Sequence, residues 1–275
     1  MDPHDVALWC ALPFAIGVTV DALELLAERS QLGDGGLYGY SALATGRPSL
    51  VSGPLAPSFA RVFRYPHVLG LGIAQLIAAA VLFTAAIIRS PELIVPAGFA
   101  AIVILGARML LYFRNCLGLD GGDQMMLVVA SGLAVALLIP GRVAQTIALD
   151  YIAAQLLLSY AIAGAAKAIS PVWRSGSAII GIMSTINFGV PRFGGFLRDH
   201  PRLARALCWS VIVCECGAAI AILAGTPGAI AIITAGVLFH ITVALVMGLN
   251  LFPWSFGATY PALLLLAHSI GTLWR

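Results

Sequence analysis

Apolar residues in this chain come in runs of roughly twenty, the length that carries an α-helix across about 30 Å of hydrocarbon. Short breaks containing Pro, Gly or Arg separate them, and the pattern predicts spans near 6–28, 66–88, 94–114, 124–140, 144–168, 203–224, 227–250 and 257–273. A ninth stretch, 175–190, is short and rich in Gly, Ser and Asn, and reads either as a further crossing or as a re-entrant or tightly packed piece. The fold class that follows is all-α, a polytopic membrane bundle of about eight transmembrane helices, with seven to nine the range, and no soluble domain. No internal repeat interrupts it, so 1–275 reads as one transmembrane domain.

Two polar stretches stand out. Residues 29–65 hold the turn-forming Leu32-Gly33-Asp34-Gly35-Gly36 and the prolines Pro48, Pro54 and Pro57, which predict a surface loop with one interfacial helix. Residues 187–205 carry Arg192, Arg198, Arg202 and Arg205 and read as a cytoplasmic loop under the positive-inside rule. The first loop has four Arg as well. With 175–190 counted as a crossing, five spans separate the loops and put them on opposite sides, and the orientation expected is N-terminus and 187–205 both inside.

Composition narrows the partners. With 60% apolar residues, 10% charged ones and a mean hydropathy of +0.98, the chain departs from soluble domains, in which about a quarter of residues are charged. The lipid bilayer is its expected surrounding, with a multi-pass location in a cell membrane. A net charge of +3 without a basic run lacks the footprint that nucleic acid requires, so no nucleic-acid partner is expected. Five cysteines are an odd number set mostly in apolar segments, which predicts neither a disulfide framework nor a zinc site. Acids near the N-terminus, where a secretory signal carries Lys or Arg, predict that the first apolar run is retained.

Because a charge at the bilayer centre costs at least about 2.5–3.5 kcal/mol on insertion scales, the ionisable residues inside spans are the candidates for function. They are Asp21, Glu24, Arg108, Asp150, Lys167, Glu215, His240 and His268. Lys167 is the chain's one lysine against 14 arginines. Lysine, unlike arginine, can be made neutral by burial and act as a base, and it can equally snorkel to the headgroups. Tyr160 lies two helical turns earlier on the same face. Glu215 reads either as a protonated helix-helix contact or as a proton relay or substrate contact; its neighbours Cys214 and Cys216 point about 200° apart and cannot chelate a metal together. His240 is a proton acceptor, a quinone-contacting donor or a packed residue. Arg108 has no acid on its own face and requires one from another span, with Asp21, Asp150 and Glu215 as candidates.

The order of these residues resembles a known family. Gln155, Tyr160, Gly164, Lys167, Trp173 and Gly176 are similar to the Q…Y…aG…K…W…G signature of the horizontally transferred transmembrane domain family, the membrane domain of vitamin K-dependent gamma-carboxylase and its bacterial relatives. Arg114-Asn115 leading to Gly122-Asp123-Gln124, the acid Glu215, and Phe239-His240 through Gly248 to Phe252-Pro253 agree, so the resemblance covers nearly the whole chain.

What it implies is a bacterial cytoplasmic membrane protein that uses a reduced quinone, vitamin K hydroquinone or menaquinol, with O2 and CO2. Lys167 would be the base that deprotonates the hydroquinone, with His240 beside it as a catalytic residue and Tyr160, Glu215, Asp123, Arg108 and Trp173 around the pocket. Three departures limit the carry-over. Ala166 stands where the carboxylase has a second lysine, with one extra residue before Trp173; Asp123 replaces an assisting histidine; and the large domain that holds a protein substrate is missing. The expected functions are therefore a quinol-using enzyme acting on a peptide or small lipid-soluble substrate, or a non-catalytic membrane partner in maturation or export of a secreted peptide.

Overall fold

A computed structural model describes residues 1–50, 52–115 and 119–273, apart from the side chains of Ser49 and Leu273; Cys116, counted among the five cysteines, lies outside them. Among the described residues every regular element is a helix. The chain divides into two compact units, Asp2–Ala148 and, with Met1, Leu149–Arg275.

The first unit is built on α1 (Pro3–Ala27), followed by the short α2 (Arg29–Leu32), α3 (Tyr40–Gly46) and α4 (Ala56–Phe63), then by α5 (Leu69–Ile88), α6 (Ile94–Arg114) and α7 (Gly121–Leu138). Asp2 caps α1 by accepting from the His4 amide, with Pro3 in the first turn, where its missing N–H costs nothing. A reciprocal capping box starts α7: Asp120 accepts from the amides of Gly122 and Asp123, and Asp123 reaches back to the Asp120 amide. Burial pushes the Asp120 carboxyl above the usual carboxylate range, against the pull of those two amides. The four long helices pack in the cyclic order α1, α5, α6, α7. Gly72 near the start of α5 faces Leu25 and Leu26 at the end of α1, and Gly98 near the start of α6 faces Leu137 and Leu138 at the end of α7, so neighbours run antiparallel.

Residues 29–65 are more than a surface loop. Three short helices and a 3-10 turn fold them around Tyr40, Leu50 and Phe63, all buried, with Phe59 stacked and Phe113 tilted against Phe63. The Tyr40 hydroxyl donates to the Leu50 carbonyl. Arg114, fully buried at the end of α6, donates to the carbonyls of Phe63 at 3.1 Å and Tyr38 at 2.6 Å. Its guanidinium satisfies carbonyls that the irregular backbone leaves open.

The second unit begins inside α8 (Arg142–Ile169), which crosses the division after Ala148, and continues through α9 (Pro171–Ser175), α10 (Ser177–Met183), α11 (Pro191–Asp199), α12 (Pro201–Ala221), α13 (Thr226–Met247), α14 (Phe252–Gly257) and α15 (Tyr260–Leu273). Residues 175–190 hold no helix long enough to cross a bilayer. Gly176, at φ +90° and with the Arg205 backbone 2.5 Å from where a Cβ would stand, ends α9 in a conformation that L side chains avoid. The seven-residue α10 that follows packs on α11 and α12. The expected span 257–273 is also shorter than the hydropathy suggests. A break at 258–259 leaves α15 with 14 residues, about 21 Å at 1.5 Å per residue, against the roughly 30 Å of a bilayer core. Among the described residues, seven helices are long and apolar enough to cross a membrane.

Candidate functional site

Within the second unit, Lys167 at the last turn of α8 donates from Nζ to both oxygens of Glu215 on α12, at 2.8 and 2.6 Å. Trp173 from α9 lies beneath the ammonium, 5.1 Å from ring centroid to Nζ. The pair is mostly enclosed, with 19% and 10% of the two side chains exposed. Gly164 makes this reach possible. A Cβ there would stand 2.7 Å from the Cys216 amide nitrogen and 3.0 Å from the Glu215 carbonyl carbon, so α8 and α12 approach backbone to backbone one turn before the lysine. Cys208, Cys214 and Cys216 carry free thiols.

One to two turns earlier on α8, the Tyr160 hydroxyl meets Nε2 of His240 on α13 at 3.0 Å. His240 is 2% exposed and walled by Phe239, Phe252 and Phe256, the last stacked at 4.1 Å, and its Nδ1 has no partner. Gly236, one turn before His240, is the floor on which two hydroxyls meet. A Cβ there would stand 2.5 Å from the Tyr260 oxygen and 3.0 Å from that of Tyr160. Tyr160 and Glu215 both line one cleft between α8, α12 and α13, whose remaining walls are largely apolar, among them Ala218, Ile232 and Phe239.

Five of the expected residues, Lys167, Glu215, Trp173, Tyr160 and His240, thus belong to one unit. Arg108 and Asp123 belong to the other, where the buried guanidinium bridges Asp21 at 2.8 Å and Asp123 at 3.1 Å. The acid that Arg108 requires is therefore Asp21 from α1, joined by Asp123 at the start of α7. Asp21, Glu24, Glu28, Arg108, Tyr112 and Asp123 line an open cavity at that end of the four-helix bundle. Asp150 keeps one buried oxygen without a partner, and His268 is exposed. Gln75, fully buried on α5 with neither amide atom partnered, escaped a search confined to ionisable groups. Gly236 and Tyr260 escaped it too, since only the fold brings them beside Tyr160. Among the described residues no three His, Cys, Asp or Glu side chains are placed to hold a metal ion. Compared with known proteins, the chain matches no family model, no curated protein and no solved structure.

Proposed function

We propose that the chain is a multi-pass integral membrane protein, akin to the horizontally transferred transmembrane domain family, that uses a lipid-soluble quinol with O2 and CO2 to modify a peptide or small apolar substrate. The observation that carries this reading is the enclosed Lys167–Glu215 pair beside an apolar cleft. Apolar walls with a few convergent polar groups suit a ring that bears hydroxyls. When bound, a reduced quinone supplies a phenolic proton and two electrons.

An ammonium that donates to both carboxylate oxygens offers no lone pair. Lys167 becomes a base when one proton passes from Nζ to Glu215, leaving a neutral amine beside a carboxylic acid. His240 and Tyr160 flank this pair's cleft as a second proton-exchanging couple. Detergent-solubilised protein given menaquinol or reduced vitamin K and air should convert quinol to epoxide, detected by mass spectrometry, and Lys167→Ala shown to be folded should not. Folded wild-type protein that converts none supports instead the accessory membrane partner, a reading favoured by the way each ion-pair cluster ties helices together.

Span order also bears on orientation. With seven crossings, four separate 29–65 from 187–205, so both arginine-bearing segments fall on one face and the N-terminus on the other. Arg114 and Arg174 join that face, against Arg89 and Arg142 opposite. The positive-inside rule then makes the arginine-rich face cytoplasmic and the N-terminus external, the reverse of the orientation expected while 175–190 counted as a span. An epitope at the N-terminus should be accessible to antibody in intact cells and one inserted at Gly35 only after permeabilisation; the opposite pattern overturns this orientation.

A further inference from the structure

Between the end of α8 at Ile169 and the start of α12 at Pro201 lie α9, α10 and α11, of five, seven and nine residues. At about 1.5 Å per residue the longest of them covers roughly 14 Å, so the segment is held on one face of the membrane by a spanning helix at each end. Its charge is one-sided. Residues 170–205 hold Arg174, Arg192, Arg198, Arg202 and Arg205 against a single acid, Asp199.

Among the described residues none of the five is in an ion pair. All are exposed, and the internal side-chain bonds they make are long: Arg198 to the Ser184 hydroxyl at 3.4 Å and Arg205 to the Ser175 carbonyl at 3.5 Å. Arginines of the first unit are engaged differently. Arg114 is buried on two carbonyls, Arg47 donates to the Phe113 carbonyl at 2.6 Å, and Arg64 lies over the Tyr40 ring. Uncompensated guanidiniums tethered beside a bilayer attract anionic headgroups.

Apolar side chains are interleaved with these charges. Ile186 is 99% exposed, and Phe188, Val190 and Phe196 are exposed as well. On α11, Leu197 faces inward, packed with Met183 and Ala204. Phe196 and Arg198 stand about 100° to either side of it, so one edge of the helix is aromatic and the other basic. A helix lying in the membrane interface distributes its side chains in this way, with the apolar edge toward the acyl chains and the basic edge toward the phosphates. Trp209, exposed on α12, donates its indole N–H to the Arg174 carbonyl at 3.3 Å, and tryptophan is the residue type that collects at the headgroup level.

We infer that residues 170–205 form a binding surface for the headgroups of anionic phospholipids, with the arginines on lipid phosphates and Ile186, Phe188 and Phe196 among the upper acyl carbons. The inference rests on the membrane reading above and is independent of the quinol chemistry.

The probes are phosphatidylglycerol and phosphatidylcholine with identical acyl chains, titrated into the detergent-solubilised full-length protein and counted by native mass spectrometry. Phosphatidylglycerol should bind at least about 25-fold more tightly, the effect of two arginines at roughly fivefold each. Arg202→Gln combined with Arg205→Gln should remove most of that preference and leave phosphatidylcholine binding unchanged. Arg29→Gln combined with Arg61→Gln, the same loss of charge from exposed positions of the first unit, should leave the preference in place. In the unaltered protein, a phosphatidylglycerol carrying a diazirine near the glycerol end of an acyl chain should label residues 184–199. Equal affinity for the two lipids, equal losses in the two variant pairs, or labelling that misses 184–199 overturns the inference and leaves the membrane reading standing. Wild-type protein that does not float with vesicles removes the membrane reading and this surface with it.

Discussion

Lys167→Met and Glu215→Leu, each alone, will destabilise the protein by about 3 kcal/mol, and the two together will cost less than either. Removing one partner of an enclosed ion pair strands the other charge where water cannot solvate it, a loss of roughly 3–5 kcal/mol, whereas replacing both by apolar side chains of similar volume is often neutral. The lower figure applies because Lys167 retains 19% exposure. Equilibrium unfolding in detergent of the two single variants and the double variant checks this; additive losses would show that the pair is not coupled. The double variant has a further use. It should be folded yet incapable of proton transfer, so loss of quinol oxidation there cannot be blamed on loss of structure, while an accessory membrane protein should tolerate it.

Arg108→Met will be the most damaging single change in the first unit. Its guanidinium, 5% exposed, is the shared counter-charge of Asp21 and Asp123, and without it two carboxylates are left without a counter-charge at one end of the α1, α5, α6 and α7 bundle. A loss of about 3–5 kcal/mol is expected. Asp21→Asn alone should cost less, because Asp21 is 31% exposed and can be hydrated. Adding Asp21→Asn and Asp123→Asn to Arg108→Met should recover much of the stability, by removing the stranded charges. Thermal unfolding of this set, and its failure to show recovery, would reassign Arg108 to packing.

Most long helices were legible in hydropathy because a span is a one-dimensional property: about twenty apolar residues need no partner to be recognised. The boundaries that failed did so for local backbone reasons. Gly176 stops a helix through its positive φ, and the break at 258–259 splits an apolar run into α14 and α15, although leucines continue on both sides in composition. The 29–65 segment looked like loop because its prolines and glycines are punctuation. Its small core depends on Phe113 and Arg114, about fifty residues away in sequence, which no local pattern reveals.

Ionisable residues inside apolar runs are places of expense, but expense is a property of one residue and pairing is a property of two. That Arg108 needs an acid follows from the cost of burying a charge. That the acids are Asp21 and Asp123 follows from the cyclic packing of α1, α5, α6 and α7. Lysine as the one titratable cation was visible in composition. Its attachment to Glu215 was not, because it depends on Gly164 letting two backbones meet, and a glycine's neighbours across a helix interface are absent from the sequence around it.

By itself, then, the sequence determined the all-helical class and the short set of charges that must be answered, since both follow from solvation of single segments and single groups. Only the tertiary structure decided which partner answers each charge, that Tyr160 and Glu215 share one cleft, and that 175–190 and 260–273 stop short of a full crossing. Those outcomes turn on helix packing distances and on backbone dihedrals, which hydropathy does not encode.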